Sequence, residues 1–276
     1  MGTARRESLL AEASEKIQAQ LAQTPKSLIV ILGPTASGKT QLALDLANLF
    51  PVEIVSADSR LVFQELNIGT AKPSAEEQKK VKHHLIDIVQ PDRSFTLADY
   101  QRSAFAVIDQ LLLAKKLPLL VGGTMLYIDA IVYNYSLPQQ NEQPILSFRS
   151  WPLEKLQSEL KSLRSDADQF LDWQNPVRLT RALEYYALTG GWIWEEKKKN
   201  ESKYPYILLG LQVEKATLKR RITERVENQV QRGLIDEVRT LLHKYPQATT
   251  AMTGIGYRQV ASYLKGEYSL TEMKTQ

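Results

Sequence analysis

Residues 33–40 read Gly33-Pro34-Thr35-Ala36-Ser37-Gly38-Lys39-Thr40, a spacing of glycines, a lysine and a hydroxyl that suits a di- or triphosphate. Gly33 and Gly38 let the backbone turn its N–H groups inward without a Cβ clash. Lys39 brings a point charge, and the Thr40 hydroxyl can sit on Mg²⁺. Pro34, Thr35, Ala36 and Ser37 complete the loop. Such a loop works when a strand delivers the chain to it and a helix leaves from it. The apolar run from Leu28 predicts the strand, and the spacing of Leu42, Leu44, Leu46, Ala47 and Phe50 predicts the helix. That helix adds the positive end of its dipole to the phosphate site.

Other candidate residues gather around this loop. Val52, Ile54 and Val55 predict a second strand whose carboxyl end delivers Asp58, where open parallel sheets bind their ligands. Leu-Pro-Leu-Leu-Val, residues 117–121, predicts a buried strand running into Gly122, Gly123 and Thr124. Its glycines allow a close backbone approach, and Thr124 can place a hydroxyl near the site. ATP-hydrolysing motors usually end such a strand in an acidic residue that holds Mg²⁺ through water, so Gly-Gly-Thr argues against a mechanical ATPase. Late in the chain, Arg221 and Arg225 lie four residues apart on one face of a predicted basic helix, and one of them is expected to reach the phosphates. His83 and His84 are adjacent, so they cannot turn to one metal ion from one face; a structural role is expected.

The elements that must position these groups follow from periodicity and punctuation. Leu9, Leu10, Ala13, Ile17 and Leu21 predict an amphipathic helix before the first strand, without a chemical motif of its own. Leu66–Pro73 reads as a turn, and Ser74 with Glu77 as a capping box. Helices are predicted over 96–115, 153–163 and 176–189, the last ended by Gly190-Gly191. Gln139, Gln140, Asn141 and Gln143 mark an exposed connection, and the run Glu195–Lys203 a solvated loop. Residues 206–213 predict another strand, followed by two helices separated at Gly233. The expected fold is α/β, a P-loop-type three-layer parallel-sheet core with a small, mostly helical insertion. Its parts are a helical extension over 1–26, the core over 27–133, an insertion over 134–174, and the rest of the core over 175–276.

The 276 residues include no cysteine, which excludes disulfides, thiolate metal sites and cysteine nucleophiles. A net charge of +4 is compatible with a polyanionic partner and does not demand one. No apolar run is long enough to cross a bilayer and no secretory signal is present, so a cytoplasmic monomer without a membrane partner is the expectation.

Taken together, Gly33–Thr40, Ser-Ala-Asp-Ser-Arg (56–60), Asn-Ile-Gly-Thr-Ala-Lys-Pro (67–73), His-His-Leu-Ile-Asp (83–87), Val-Gly-Gly-Thr-Met-Leu-Tyr (121–127), Arg-Leu-Thr-Arg-Ala-Leu-Glu (178–184), the Arg221–Arg225 pair before Gly-Leu-Ile-Asp-Glu-Val (233–238), and Gly-Ile-Gly-Tyr-Arg-Gln (254–259) resemble the tRNA dimethylallyltransferases. The resemblance is collinear from Leu28 to Glu272. It implies transfer of a five-carbon isoprenoid from dimethylallyl diphosphate to N6 of the adenosine 3′ of the anticodon in tRNA, with Mg²⁺ at Thr40. By resemblance, Asp58 is the general base, Arg225 the arginine that stabilises the leaving diphosphate, and Thr124 the threonine that orients the adenine. Ser59, Arg60 and Leu61 then belong to the tRNA and adenine side. Leu61 stands where the family usually has glutamine, and Glu65 where it usually has glycine. The insertion is shorter than the family's, and the basic segment usual after the Gly-Tyr region is not in the sequence, so a reduced tRNA-holding surface is expected. A prenyltransferase acting on free adenine nucleotides, a small-molecule kinase and a binding protein without turnover are the alternatives.

Overall fold

Alternating apolar residues divide each long strand between two faces, and covering both faces builds the layers. The computed structural model describes residues 3–137, 148–195 and 199–276. The strands are β1 (Leu28–Leu32), β2 (Val52–Ser56), β3 (His83–His84), β4 (Leu117–Gly122) and β5 (Tyr206–Gly210). The helices are α1 (Thr3–Gln23), α2 (Lys39–Leu46), α3 (Ala75–Lys80), α4 (Leu97–Leu113), α5 (Met125–Val132), α6 (Leu153–Leu163), α7 (Pro176–Thr189), α8 (Lys215–Gln231), α9 (Leu234–Lys244), α10 (Thr249–Met252), α11 (Tyr257–Leu264) and α12 (Leu270–Thr275).

The strands form one parallel sheet in the order β3-β2-β4-β1-β5. A parallel sheet is stable when helices cover both faces. Ile29, Ile31, Ile54, Leu119 and Val121 point to one face, against Ala13 and Ile17 of α1 and Leu42, Ala43 and Leu46 of α2. Leu28, Val30, Val55 and Leu120 point to the other, against Tyr100, Ala104 and Ile108 of α4 and Ile128 and Ile131 of α5. This is the three-layer α/β core expected from the sequence. β1 lies between β4 and β5, so the loop leaving it at Gly33 opens beside the carboxyl ends of its neighbours.

Beyond the sheet, a third apolar cluster joins Val62, Phe63 and Leu66 to Leu234, Val238, Ala251, Tyr257, Val260 and Met273 from the four C-terminal helices. Two capping boxes, Ser74 with Glu77 and Thr96 with Asp99, start α3 and α4. Glu65 takes a φ of 64°, a left-handed backbone that favours glycine. Its carboxylate accepts hydrogen bonds from Lys244 Nζ at 2.7 Å and the Tyr245 hydroxyl at 2.6 Å, contacts a glycine could not make.

The described residues divide into two compact units, one of Met1–Tyr135 with Glu201–Gln276 and one of Ser136–Asn200. The second unit therefore runs beyond residue 174 to Asn200, and α7, expected within the core over 175–276, belongs to it. Leu179, Ala182 and Leu183 of α7 bury instead against Leu156 and Leu160 of α6. Periodicity reports that a helix has an apolar face and is silent on what covers it. α1 likewise belongs to the first unit, its buried residues forming part of the core. Pro138–Ile145, with the predicted connection Gln139, Gln140, Asn141 and Gln143, and residues 196–198 of the predicted solvated loop lie outside the described residues. No described helix is long and apolar enough to cross a membrane.

Candidate active site

The phosphate loop owes its shape to local backbone chemistry. Gly38 caps α2 at φ 102°, in left-handed space where a side chain is strained, and the first turn of the helix opens toward the loop. A Cβ at Gly38 would meet nothing, so conformation rather than room requires the glycine. Lys39 Nζ donates to the carbonyls of Gly33 and Pro34, both at 2.8 Å, folding the ammonium over the loop. Burial lowers the Lys39 pKa; the neighbouring Asp58 works against that and Arg225 with it. The buried Ser37 hydroxyl has no hydrogen-bond partner among the described residues. A buried hydroxyl left unpaired is costly, and a phosphate oxygen would satisfy it.

Asp58 reaches this loop through an unusually close approach of two strand ends. Ala57 N–H donates to Val121 O at 2.8 Å, and Thr124 N–H donates back to Ala57 O at 3.1 Å. A Cβ on Gly122 would lie 2.0 Å from that same Ala57 oxygen. Only glycine fits there. The Asp58 carboxylate is oriented by its own turn, Oδ1 accepting from Arg60 N–H at 2.8 Å and more weakly from Leu61 N–H at 3.4 Å. Oδ2 has no hydrogen bond among the described residues. Thr124 sits beside it, its Oγ1 accepting from Ser59 N–H at 3.1 Å and donating to Ser59 Oγ at 3.3 Å. Beneath these residues Tyr100 stacks on Tyr127 with ring centroids 3.8 Å apart, and the Tyr100 hydroxyl donates to Ser56 O. Burial pushes the Tyr127 hydroxyl up to about 12, so it stays neutral.

α8 supplies the cations. Arg221, Arg225 and Gln229 recur every four residues, forming a polar stripe on one side of the helix. Arg221 Nη1 donates to Ala36 O of the phosphate loop at 3.1 Å, whereas Arg225 Nη2 donates to Thr70 O of the facing turn at 3.2 Å. Burial lowers the Arg225 pKa, opposed by Asp58. Gln229 Nε2 donates to the carbonyls of Ile68 and Gly69 at 2.7 and 3.0 Å. The N–H groups of the same turn go to Glu237 of α9: Asn67 at 3.1 Å, Ile68 at 2.8 Å and Gly69 at 3.2 Å. The Tyr257 hydroxyl adds a fourth hydrogen bond to Glu237 at 2.6 Å.

These parts enclose a cavity of about 520 Å³. Thr35–Thr40, Asp58, Leu61, Thr70, Gly122, Gly123, Arg221 and Arg225 line it, as do Arg6 and Leu9 of α1. Its size is that of a small-molecule site. Lys39, Arg221 and Arg225 line it together with Asp58, while Asp45 at its edge is paired with Arg6; cations around one unpaired carboxylate oxygen suit a phosphorylated ligand and a proton to be removed from its partner.

The family model described as IPP transferase matches residues 61–276. A tRNA dimethylallyltransferase of Gloeothece citriformis is 42% identical over 252 residues, covering 90% of this chain and 82% of the relative. One from Acetivibrio thermocellus is 39% identical over 259 residues, covering 89% and 82%. This chain belongs to the IPP transferase family. The crystal structure of the full-length tRNA isopentenylpyrophosphate transferase of Bacillus halodurans superposes with a TM-score of 0.67 at 35% identity, covering 91% of this chain and 81% of that one.

In this IPP transferase the structure brings together the loop, Asp58, Leu61, Arg221 and Arg225 around one cavity, with Ser59 and Thr124 adjoining Asp58. Arg60 turns elsewhere: its guanidinium donates to Thr250 O and to Thr253 Oγ1. Arg6, Gln229, Glu237 and Tyr257 were not expected at the site. The four-residue spacing from Arg221 through Arg225 to Gln229 is the one signal that points to Gln229. His83 and His84 serve structure, His83 Nδ1 against Val81 O and His84 Nε2 against the buried Glu53. No cluster of three metal-ligating side chains occurs among the described residues.

Proposed function

We propose that this chain transfers the dimethylallyl group of dimethylallyl diphosphate to N6 of the adenosine 3′ of the anticodon in tRNA. The observation that carries the reading is the single cavity where a phosphate loop, two arginines and Asp58 converge, in a chain of the IPP transferase family. The adenine N6 lone pair forms a bond to C1 of the isoprenoid while the C1–O bond breaks, its electron pair leaving with pyrophosphate. Charge grows on the leaving group, where the loop amides, Lys39 and Arg225 can meet it. Each well-placed donor of this kind contributes about 10²–10³ in rate. The proton released from N6 goes to Asp58, whose Oδ1 is already occupied by backbone N–H groups and whose Oδ2 is available. A positioned base of this sort contributes about 10²–10⁴. Ser59 and Thr124 adjoin that carboxylate and would orient the base, and the helical unit would hold the RNA.

Mg²⁺ fits the donor set in one form only. The described side chains build no closed metal site, whereas Thr40 lines the cavity. Mg²⁺ is commonly held by a few protein ligands together with substrate phosphates, so Thr40 and the donor's oxygens would share it, and the ion would neutralise charge on the leaving pyrophosphate.

The test is a mass-spectrometric assay with Mg²⁺ and dimethylallyl diphosphate, offering unmodified tRNA in one reaction and AMP in another. A C5 adduct on the anticodon-loop adenosine is expected. An adduct on AMP alone would move the acceptor to free nucleotides, and no adduct in either reaction would overturn prenyl transfer.

A further inference from the structure

The turn at Asn67–Ala71 closes on itself through Ala71 N–H to Ile68 O and Lys72 N–H to Asn67 O, both at 3.0 Å, and its remaining polar groups are held by side chains from elsewhere. Three successive N–H groups, those of Asn67, Ile68 and Gly69, donate to the one carboxylate of Glu237, and the carbonyls of Ile68 and Gly69 accept from the one amide of Gln229. Consecutive amides turned inward make an anion-binding concavity. Here the chain fills that concavity with its own anion. Tyr257 closes the arrangement from below, donating to Glu237 and packing its ring so tightly on Gly69 that a Cβ there would lie 2.4 Å from a ring carbon. The next carbonyl along the turn, that of Thr70, accepts from Arg225. Thr70 and Ala71 themselves line the cavity.

We propose that Glu237 is a positioning residue for the reaction: by fixing the Asn67–Gly69 turn, with Gln229 and Tyr257, it fixes the Thr70 carbonyl that aims the Arg225 guanidinium into the cavity. Glu237 touches no reactant. It acts through the turn on Arg225, a half-buried side chain whose guanidinium is anchored on that carbonyl. Misplacement of a catalytic group by about 1 Å can cost about 10²-fold in rate, so loosening the turn lowers turnover without removing any group that meets the donor. The inference rests on the prenyl-transfer reading for its rate measurements and stands apart from it in its binding measurement.

The experiment is a double-mutant cycle on the full-length chain, crossing Glu237→Gln with Arg225→Lys. Two readouts are followed: single-turnover prenylation of tRNA, and equilibrium binding of pyrophosphate with Mg²⁺. Glu237→Gln keeps the volume of the side chain and places an amide among N–H donors. It is expected to slow turnover about ten- to a hundredfold and weaken pyrophosphate binding, while the KM for tRNA holds. In the Arg225→Lys background the same change is expected to add less than about twofold, because residues that act as a unit are not additive. Effects that multiply in both readouts, or a folded Glu237→Gln chain with unchanged turnover and pyrophosphate binding, would overturn the proposal. Tyr257→Phe removes one of the four donors to Glu237 and serves where Glu237→Gln fails to fold. Its smaller loss is expected to vanish in the Arg225→Lys background, and persistence there overturns the proposal equally. A wild-type chain that binds pyrophosphate without prenylating tRNA would count against the function, and the binding cycle would still decide the role of Glu237.

Discussion

One wall of the cavity comes from six consecutive residues, Thr35–Thr40, of a loop held between a buried strand and the helix it feeds. The facing wall has Thr70 from a turn and Arg225 from α8, held from behind by Gln229 of α8, Glu237 of α9 and Tyr257 of α11. The first wall is shaped by backbone conformation. Gly38 sits in left-handed space and Lys39 folds onto carbonyls five and six residues behind it. The second adds to two local backbone hydrogen bonds a set of side chains from up to 170 residues away. A phosphate can therefore be gripped by a short stretch of chain, whereas an arginine that must meet the other side of it needs tertiary structure to aim it. The two walls should fail differently when damaged.

The largest effect is expected from the residue between them. Asp58→Asn should reduce prenyl transfer about 10²–10⁴-fold while leaving pyrophosphate affinity unchanged, measured by single turnover and titration calorimetry. Unchanged turnover would assign the proton to another group. Lys39→Ala and Arg225→Ala each remove one wall's cation and should cost about 10²–10³-fold. If one is silent and the other is not, the diphosphate leans on a single wall.

pH separates the walls further. Burial holds the Lys39 ammonium below the ordinary lysine range. The charge is complete below that pKa and is lost as pH rises through it, so pyrophosphate affinity of the free protein should decline from a pH lower than an ordinary lysine would set. Lys39→Arg should move the decline upward. A decline unmoved by Lys39→Arg would mean that another group titrates.

Gly122→Ala tests the approach that delivers Asp58. With Ala57 O 2.0 Å from the new Cβ, backbone must shift, and overpacking of this kind costs about 1–3 kcal/mol. Chemical denaturation should show that loss together with lower turnover, and a stable, active variant would show that the strand ends need not touch.

The smallest effect is expected at α1. Arg6 Nε donates to Asp45 Oδ2 at 2.7 Å from the rim of the cavity, with its side chain 46% exposed. Asp45 itself is buried, and it keeps the Gln41 Nε2 hydrogen bond at 3.0 Å when the guanidinium is removed. Arg6→Ala should raise the KM for dimethylallyl diphosphate only a few-fold, and a large effect would place Arg6 on the donor itself.

What could be read from the sequence follows the same division. The phosphate loop, the strand that ends before Asp58 and the Gly-Gly strand end are encoded by neighbouring residues, and the structure places them as their patterns imply. Glu237 and Tyr257 carry no local mark of their work, because a glutamate in a helical segment reads as a solvated face whether or not a turn 170 residues earlier lies against it. α7 shows the same limit: its apolar stripe was legible and its partner, α6, was not. Glu65 is an instructive mixture. It stands where the family usually has glycine, and its φ of 64° is a backbone that glycine adopts freely. The compensating Lys244 and Tyr245 could be found only in three dimensions.

The most direct test of the account is a crystal structure with Mg²⁺ and a non-cleavable thiolo analogue of dimethylallyl diphosphate. The diphosphate is expected between the Gly33–Thr40 amides and the Arg225 guanidinium, with Lys39 released from the Gly33 and Pro34 carbonyls to meet it. An analogue bound outside this cavity, with Lys39 and Arg225 still on their backbone carbonyls, would contradict it.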